Sequence, residues 1–153
     1  MRKFLLLAIL LILLALGLLY CSERSAVSWS DSLHSDKGQA ARYIETQTLN
    51  FLEDLRFKDF EKAATYHSPS DQEKVDIPQL IEDVFYIKPE FLDIMRYEIT
   101  KVELDSTGTR GRVTTHTVAK ALNADEIKDL DIIFYWSQDA KGQWYMRLES
   151  SLR

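Results

Sequence analysis

The chain has 153 residues, a net charge of −5, 28 % charged residues and one cysteine. This length suits one domain plus appendages. Acidic side chains outnumber basic ones, and no basic stripe is present, so we expect no nucleic-acid binding, which needs clustered Lys and Arg. The single cysteine, Cys21, excludes a disulfide within the chain and a cysteine-based metal site.

An uninterrupted apolar run occupies residues 4–21, directly after Arg2 and Lys3. As a helix it would extend about 27 Å, close to the hydrocarbon thickness of roughly 30 Å. The basic residues before it predict that the N-terminus stays in the cytoplasm and that the remainder is exported. We therefore expect residues 1–21 to be a signal or anchor segment that holds the chain in the membrane through residues 4–21. The following domain would lie on the periplasmic or extracytoplasmic side.

Three kinds of anchor are compatible with this segment. Cys21 stands where the apolar run ends, which is similar to the position of the lipidated cysteine in bacterial lipoproteins. Leu18 suits the processing motif, but Tyr20 is bulky where Gly, Ala or Ser normally stands. We therefore favour an uncleaved transmembrane helix, and keep lipidated Cys21 and a cleaved signal peptide as alternatives.

The soluble part has helical periodicity first and strand periodicity afterwards. Residues 22–37 are rich in serine and predict a linker, which leaves 38–153 as the domain. The predicted helices are 38–56, 58–67 and a third that begins at Asp76 with Pro78 in its first turn. The predicted strands are 95–105 with a bulge near Thr100, then 110–121, 130–136 and 144–148. This order predicts an α+β fold with helices on one face of an antiparallel sheet.

The same order of elements resembles the NTF2-like (cystatin-like, SnoaL-like) superfamily. A long first helix followed by residues 56–64 is similar to the helix pair of that superfamily, and residues 134–136, the turn at Gly142 and residues 144–146 are similar to its closing hairpin. Within the superfamily, the chain looks most like small exported lipoproteins and membrane-anchored members of unknown function. The resemblance implies a curved sheet wrapped on helices, forming a cone that can enclose a pocket.

Period-two alternation divides the strands into an inner and an outer face. The predicted inner residues are Val113, Thr115, Thr117 and Ala119, then Leu130, Ile132, Phe134 and Trp136, then Trp144, Met146 and Leu148. Within this set, small side chains oppose large ones, so they either interdigitate or leave an apolar cavity. We take Thr115, Thr117, Phe134, Trp136 and Trp144 as the candidate pocket residues.

Two histidines are candidates for a catalytic base. The resemblance implies this possibility, because the superfamily includes enzymes that use an ionisable base inside an apolar cavity. His116 falls on the outer face, where an exposed strand histidine is the better interpretation. His67 ends the second predicted helix. The helix dipole favours a histidine at this position, so His67 needs no catalytic role to be explained. No histidine has an acidic or histidine partner three or four residues further on that makes a convincing metal pair, and no phosphate-binding loop is present, so we expect no metal and no cofactor.

The outer face offers a different function. Tyr135 and Tyr145 point outward with charged neighbours, a composition typical of protein interfaces. We therefore predict a non-catalytic binding or assembly role in the bacterial envelope, with a second copy or an envelope protein as partner of this face. The alternative is a small-molecule carrier or enzyme that uses the cone pocket, with His67 or His116 as base.

Overall fold

A computed structural model describes residues 28–148, with side chains from residue 36 onward. The chain divides into two units between Gly38 and Gln39. In the first unit the described residues, 28–38, are helical. The predictions for residues 1–27, including the apolar run and Cys21, lie outside the described residues. Within residues 28–148, no helix is long and apolar enough to cross a membrane.

Four helices and a short 3-10 turn precede the sheet in the described chain. They are α1 (Ser28–Arg56), α2 (Phe60–Ala64), α3 (Pro69–Gln72), α4 (Ile77–Phe85) and the 3-10 turn Pro89–Phe91. The start of α1 differs from the prediction, because the helix includes residues 28–37 of the predicted linker. That stretch is serine-rich but contains neither glycine nor proline, so nothing in it interrupts a helix.

The shorter helices agree with the sequence prediction at one cap and differ from it in their bounds. The predicted N-cap of α4 is confirmed: the Asp76 carboxylate accepts a hydrogen bond from the backbone N–H of Gln79 at 3.2 Å. Helix α2 is shorter than predicted, because the chain leaves the helix after Ala64 and turns toward the sheet at His67. A single helical turn, α3, lies between the second and third predicted helices, where no helix was predicted.

The strands form one antiparallel sheet in the order β1-β2-β3-β4, which confirms the α+β class. They are β1 (Leu92–Leu104), β2 (Arg110–Ala121), β3 (Glu126–Gln138) and β4 (Trp144–Met146). The bounds of β2 match the prediction, whereas β3 is longer and β4 shorter than predicted. Strand β1 has two irregularities against β2, between Ile94 and Arg96 and between Ile99 and Lys101, and the second is the predicted bulge. Bulges of this kind bend a sheet.

The core lies between α1, α4 and one face of the sheet. The predicted alternation is confirmed in β2, where Val113, Thr115, Thr117 and Ala119 are all fully buried. Gly111 begins this row at a close approach to α1, since a Cβ added there would lie 2.5 Å from Cδ1 of Ile44. A glycine at this position therefore lets the helix rest against the strand.

A buried hydrogen-bond chain joins the sheet to α1. The indole Nε1–H of Trp136 donates to Oγ1 of Thr48 at 3.0 Å, and that hydroxyl donates to the backbone oxygen of Ile44 at 2.8 Å. Trp136 and Thr48 are both buried, so each polar group finds its partner inside the protein, as buried polar groups must. This chain fixes the position of β3 relative to the first helix.

Candidate functional site

The inner side of the sheet encloses a cavity of about 30 Å³ between α1, α4 and the strands. Its walls include Phe51 and Leu55 of α1, Ile81 and Phe85 of α4, and Phe134 of β3, together with His67. A space of this size holds about two water molecules, far less than the several hundred Å³ of a typical small-molecule site. The inner face is therefore largely packed.

The structure brings only one of the five predicted pocket residues to this cavity. Phe134 lines it, and its ring meets that of Phe51 edge-on at 5.7 Å between centroids. Thr115, Thr117, Trp136 and Trp144 are buried but belong to the packed core away from the cavity lining. Small residues of β2 opposite large residues of β3 thus interdigitate, as close-packed interiors do.

His67 is held by its backbone and by one ring nitrogen. Its N–H donates to the Ala64 oxygen at 3.1 Å, and its carbonyl accepts from Nε2 of Gln72 at 2.9 Å. The ring Nδ1 lies 3.0 Å from the backbone oxygen of Met146. Because a carbonyl oxygen only accepts, Nδ1 carries the proton. The backbone N–H of Met146 donates to the Tyr66 oxygen at 2.8 Å, so this segment forms a parallel bridge to β4.

The other ring nitrogen of His67 has no hydrogen-bond partner among the described residues. The side chain is fully buried. Burial lowers the pKa of His67, although the hydrogen bond to Met146 and the charge of Asp71 act in the opposite direction. His67 is therefore neutral at neutral pH, with the lone pair of Nε2 unused inside the protein. This corrects the sequence interpretation, since the contact with β4, rather than the dipole of α2, holds this histidine in place.

A second buried group was not found by sequence reasoning. Asp54 of α1 has an ionisable side chain, but it is only 6 % exposed. One of its oxygens accepts from Nζ of Lys62 at 2.7 Å, and the other accepts from the hydroxyl of Tyr66 at 2.8 Å. Burial, followed by this hydrogen bond, raises the pKa of Tyr66. Asp54 thus connects α1 to the segment that contains His67. Its contacts with Lys62 and Tyr66 follow no helical or strand periodicity, so the sequence pattern does not predict them.

His116 lies on the outer face, as the alternation predicts, and does not line the cavity. Its Nδ1 is 3.1 Å from a carboxylate oxygen of Asp131, and its Nε2 is 3.3 Å from one of Asp129. Among the residues that the structure describes, no three His, Cys, Asp or Glu side chains are arranged to hold a metal ion. His116 therefore belongs to an exposed charged cluster rather than to an enclosed site.

The outer face mixes apolar, aromatic and charged side chains. Tyr135 and Tyr145 are half-buried and alternate with inward neighbours. They are not directly opposite each other, because the register pairs Tyr145 with Ser137 and Tyr135 with Arg112. Next to Tyr135, the Nε of Arg112 lies 2.6 Å from a carboxylate oxygen of Glu103. This hydrogen bond, assisted by Lys101, lowers the pKa of Glu103 to about 2.

No protein-family model, characterised protein or solved structure matches this chain. The resemblance to the NTF2-like superfamily accordingly rests on the order of elements and on a few short motifs. What the protein does must be inferred from the chemistry of its own residues.

Proposed function

We propose that the chain is a membrane-anchored, exported protein whose domain has a non-catalytic binding or assembly role in the bacterial envelope. One observation supports binding at the surface rather than in a pocket. The inner side of the sheet is packed down to a cavity of about 30 Å³, whereas the outer side displays aromatic and apolar residues among charges. Interfaces of soluble proteins combine these residue types.

We also propose that the domain is an NTF2-like cone. Helices that precede one antiparallel sheet and pack on a single face of it support this assignment. The two irregularities in β1 support it further, because bulges bend a sheet and a cone needs a curved one. A deep pocket is not required for this assignment, since a cone filled by its own side chains has the same backbone.

The exported location is supported by the charge pattern of the N-terminal segment. Arg2 and Lys3 precede the uncharged residues 4–21, and the remainder of the chain has a net charge of −7. A reporter enzyme that works only outside the cytoplasm should therefore be active when it is fused after Arg153. Activity of a cytoplasmic reporter at the same position would contradict the proposed topology.

The outer face is proposed as the contact surface, with a second copy or an envelope protein as its partner. Val118 and Ile133 are half-buried in the middle of this face, and Met95 and Ile127 are 49 % and 60 % exposed toward one end of it. Tyr135 supplies an aromatic anchor beside the Arg112 ion pair. Aromatic and arginine side chains dominate binding energy in many interfaces.

Replacing Tyr135 and Tyr145 with serine tests the role of this face. Neither ring fills the core, so the fold should be retained, while a complex through this face should weaken by about 2 kcal/mol. The full chain in a non-ionic detergent can be followed by sedimentation for self-association and by cross-linking in cells for envelope partners.

A matched control separates the sheet from exposed aromatic surface in general. Tyr86 is 81 % exposed at the end of α4, away from the strands, so Tyr86→Ser should leave association unchanged. Equal loss of association in the control and in the double variant would show that the outer face has no special role. An unaffected double variant would reject the proposal for this surface.

The alternative proposal, a small-molecule carrier or enzyme with His67 as base, is favoured by one observation. Nε2 of the neutral, buried His67 has no partner among residues 28–148, and it is the kind of acceptor that a proton-transfer site needs. The cavity would have to enlarge, for example by displacement of Leu80 and Val84, which are half-buried in α4. Saturable binding of small apolar alcohols by the wild type, lost in His67→Leu, would support this alternative.

A further inference from the structure

One edge of β3 is largely unpaired in the described chain. Strand β2 pairs with β3 from Glu126 to Ser137 without a register shift. On the other side, β4 pairs only with Trp136, Ser137 and Gln138. Among residues 28–148, no strand pairs with this second edge of β3 between residues 126 and 134.

The direction of the backbone groups on this edge follows from one hydrogen bond. The carbonyl of Tyr135 accepts from the N–H of Arg147 at 2.8 Å, so the backbone N–H and C=O groups of Tyr135 point to the side on which β4 lies. Successive residues of a strand alternate in this respect, and the register of β3 is uninterrupted. Ile127, Asp129, Asp131 and Ile133 therefore present their N–H and C=O groups to the unpaired edge. Such a row is a template for an added strand.

The side chains along the edge restrict what such a strand can contain. On the outer face, the side chains of Asp129 and Asp131 are 66 % and 73 % exposed. On the inner face, Leu130 is half-buried and Ile132 is only 6 % exposed, and they follow the ion pair of Lys128 with Glu126. The side chains of an added strand would alternate between the same two faces. Those on the outer face would lie beside Asp129 and Asp131, and those on the inner face beside Leu130 and Ile132.

The acidic part of this edge is its outer row at Asp129 and Asp131, because Glu126 pairs with Lys128 at 2.6 Å. His116 contacts one oxygen of each aspartate, and Glu98 of β1 is the register partner of His116 on its other side. Two carboxylates thus contact one histidine on the outer face, and a third acidic residue is its cross-strand partner. A complementary strand needs Lys or Arg at alternate positions, with apolar residues between them.

A second copy of the chain is a poor occupant of this edge if it pairs about the centre of the edge. If two copies of β3 paired antiparallel about Leu130, Asp129 of one copy would lie beside Asp131 of the other. Like charges in directly opposed positions destabilise strand pairing. Charged residues on edge strands commonly prevent such self-association.

We propose that the free edge of β3 receives, by strand addition, an extended segment of a partner protein in which basic and apolar residues alternate. The edge backbone supplies the hydrogen bonds, Asp129 and Asp131 select the basic positions, and Leu130 and Ile132 select the apolar ones. This site is separate from the tyrosines of the outer face, so the two proposals can fail independently.

The test uses the full chain in non-ionic detergent and a fluorescent peptide of alternating Lys and Val, matched in length to residues 126–133. Anisotropy should show saturable binding, and an alternating Glu-Val peptide should bind about tenfold more weakly, since two opposed charge pairs change sign. Replacing both aspartates, Asp129→Lys with Asp131→Lys, should reverse this preference. Equal binding of both peptides to the wild type would overturn the proposal.

Two further measurements distinguish strand addition from simple charge attraction. The Lys-Val peptide should slow amide hydrogen exchange at Ile127, Asp129, Asp131 and Ile133, whose N–H groups face the edge. Asp131→Pro removes one such N–H without removing a hydrogen bond to β2, and should abolish binding, whereas Asp131→Asn, which keeps the N–H, should retain part of it. Binding without slowed exchange, or equal binding by these two variants, would show attraction alone and reject the proposal.

The remaining candidate for this edge, besides a partner segment and a second copy, is the end of this chain, residues 149–153. A variant that lacks residues 149–153 should bind the Lys-Val peptide with unchanged affinity. An increase of about tenfold or more in this variant would mean that these residues compete for the edge, and the proposed partner segment would then be wrong.

Discussion

Acid should weaken the folded domain through His67. This side chain is fully buried, its Nδ1–H is committed to the oxygen of Met146, and burial lowers its pKa below the ordinary value of 6.5. Protonation would place a charge on Nε2, which has no hydrogen-bond partner among the described residues. The unfolded chain therefore takes up this proton at a higher pH than the folded chain does.

The sign and the limit of the effect follow from this difference. Above pH 6.5 His67 is neutral in both states, so its contribution to stability is complete there. As the pH falls below 6.5, the free energy of unfolding decreases by up to about 1.4 kcal/mol per pH unit until the lowered folded pKa is reached. The negative charge of Asp71 raises the pKa of His67 and so moderates the loss.

Urea unfolding of the full chain in non-ionic detergent, followed by the fluorescence of Trp136 and Trp144, measures this dependence between about pH 7.5 and pH 5. His67→Gln keeps a donor for the Met146 carbonyl but removes the titrating group, so its stability should decline less steeply. His116→Gln keeps His67 and should retain the steep decline of the wild type. Parallel pH curves for the wild type and His67→Gln would refute the reasoning.

Three further outcomes are expected. Trp144→Ala should lower the free energy of unfolding by roughly 3–5 kcal/mol, because the side chain is 8 % exposed in the core, and a loss below about 1 kcal/mol in the same assay would contradict that placement. Gly111→Ala should cost about 1–3 kcal/mol, since its Cβ would meet the end of the Ile44 side chain at 2.5 Å; unchanged urea denaturation would show that the side chain moves aside freely. Cys21→Ala should leave the chain in the membrane fraction, because Tyr20 disfavours lipid attachment. Release of that variant into the soluble fraction, or palmitate labelling of the wild type, would identify a lipid anchor instead.

Local chemistry made several features of the fold predictable from the sequence. A strand with one buried face has a period of two, so the inner row of β2 could be read from Val113 onward without coordinates. The cap at Asp76 was predictable as well, because a short acceptor side chain placed before Pro78 satisfies the open N–H groups of a helix start. Such features depend on neighbours within a few residues.

The length of β3 and the site around His67 were decided only by the tertiary structure. Strand β3 extends to Glu126 because β2 offers partners along its whole length, although residues 126–128 look like a polar loop in sequence. His67 is buried because Met146, far along the chain, supplies both the bridge and the acceptor for its ring. Hydrogen bonds between distant segments leave no periodic signal, so the sequence alone indicates a histidine at the end of a helix. Only the pairing of the segment after α2 with β4 makes it a buried, neutral one.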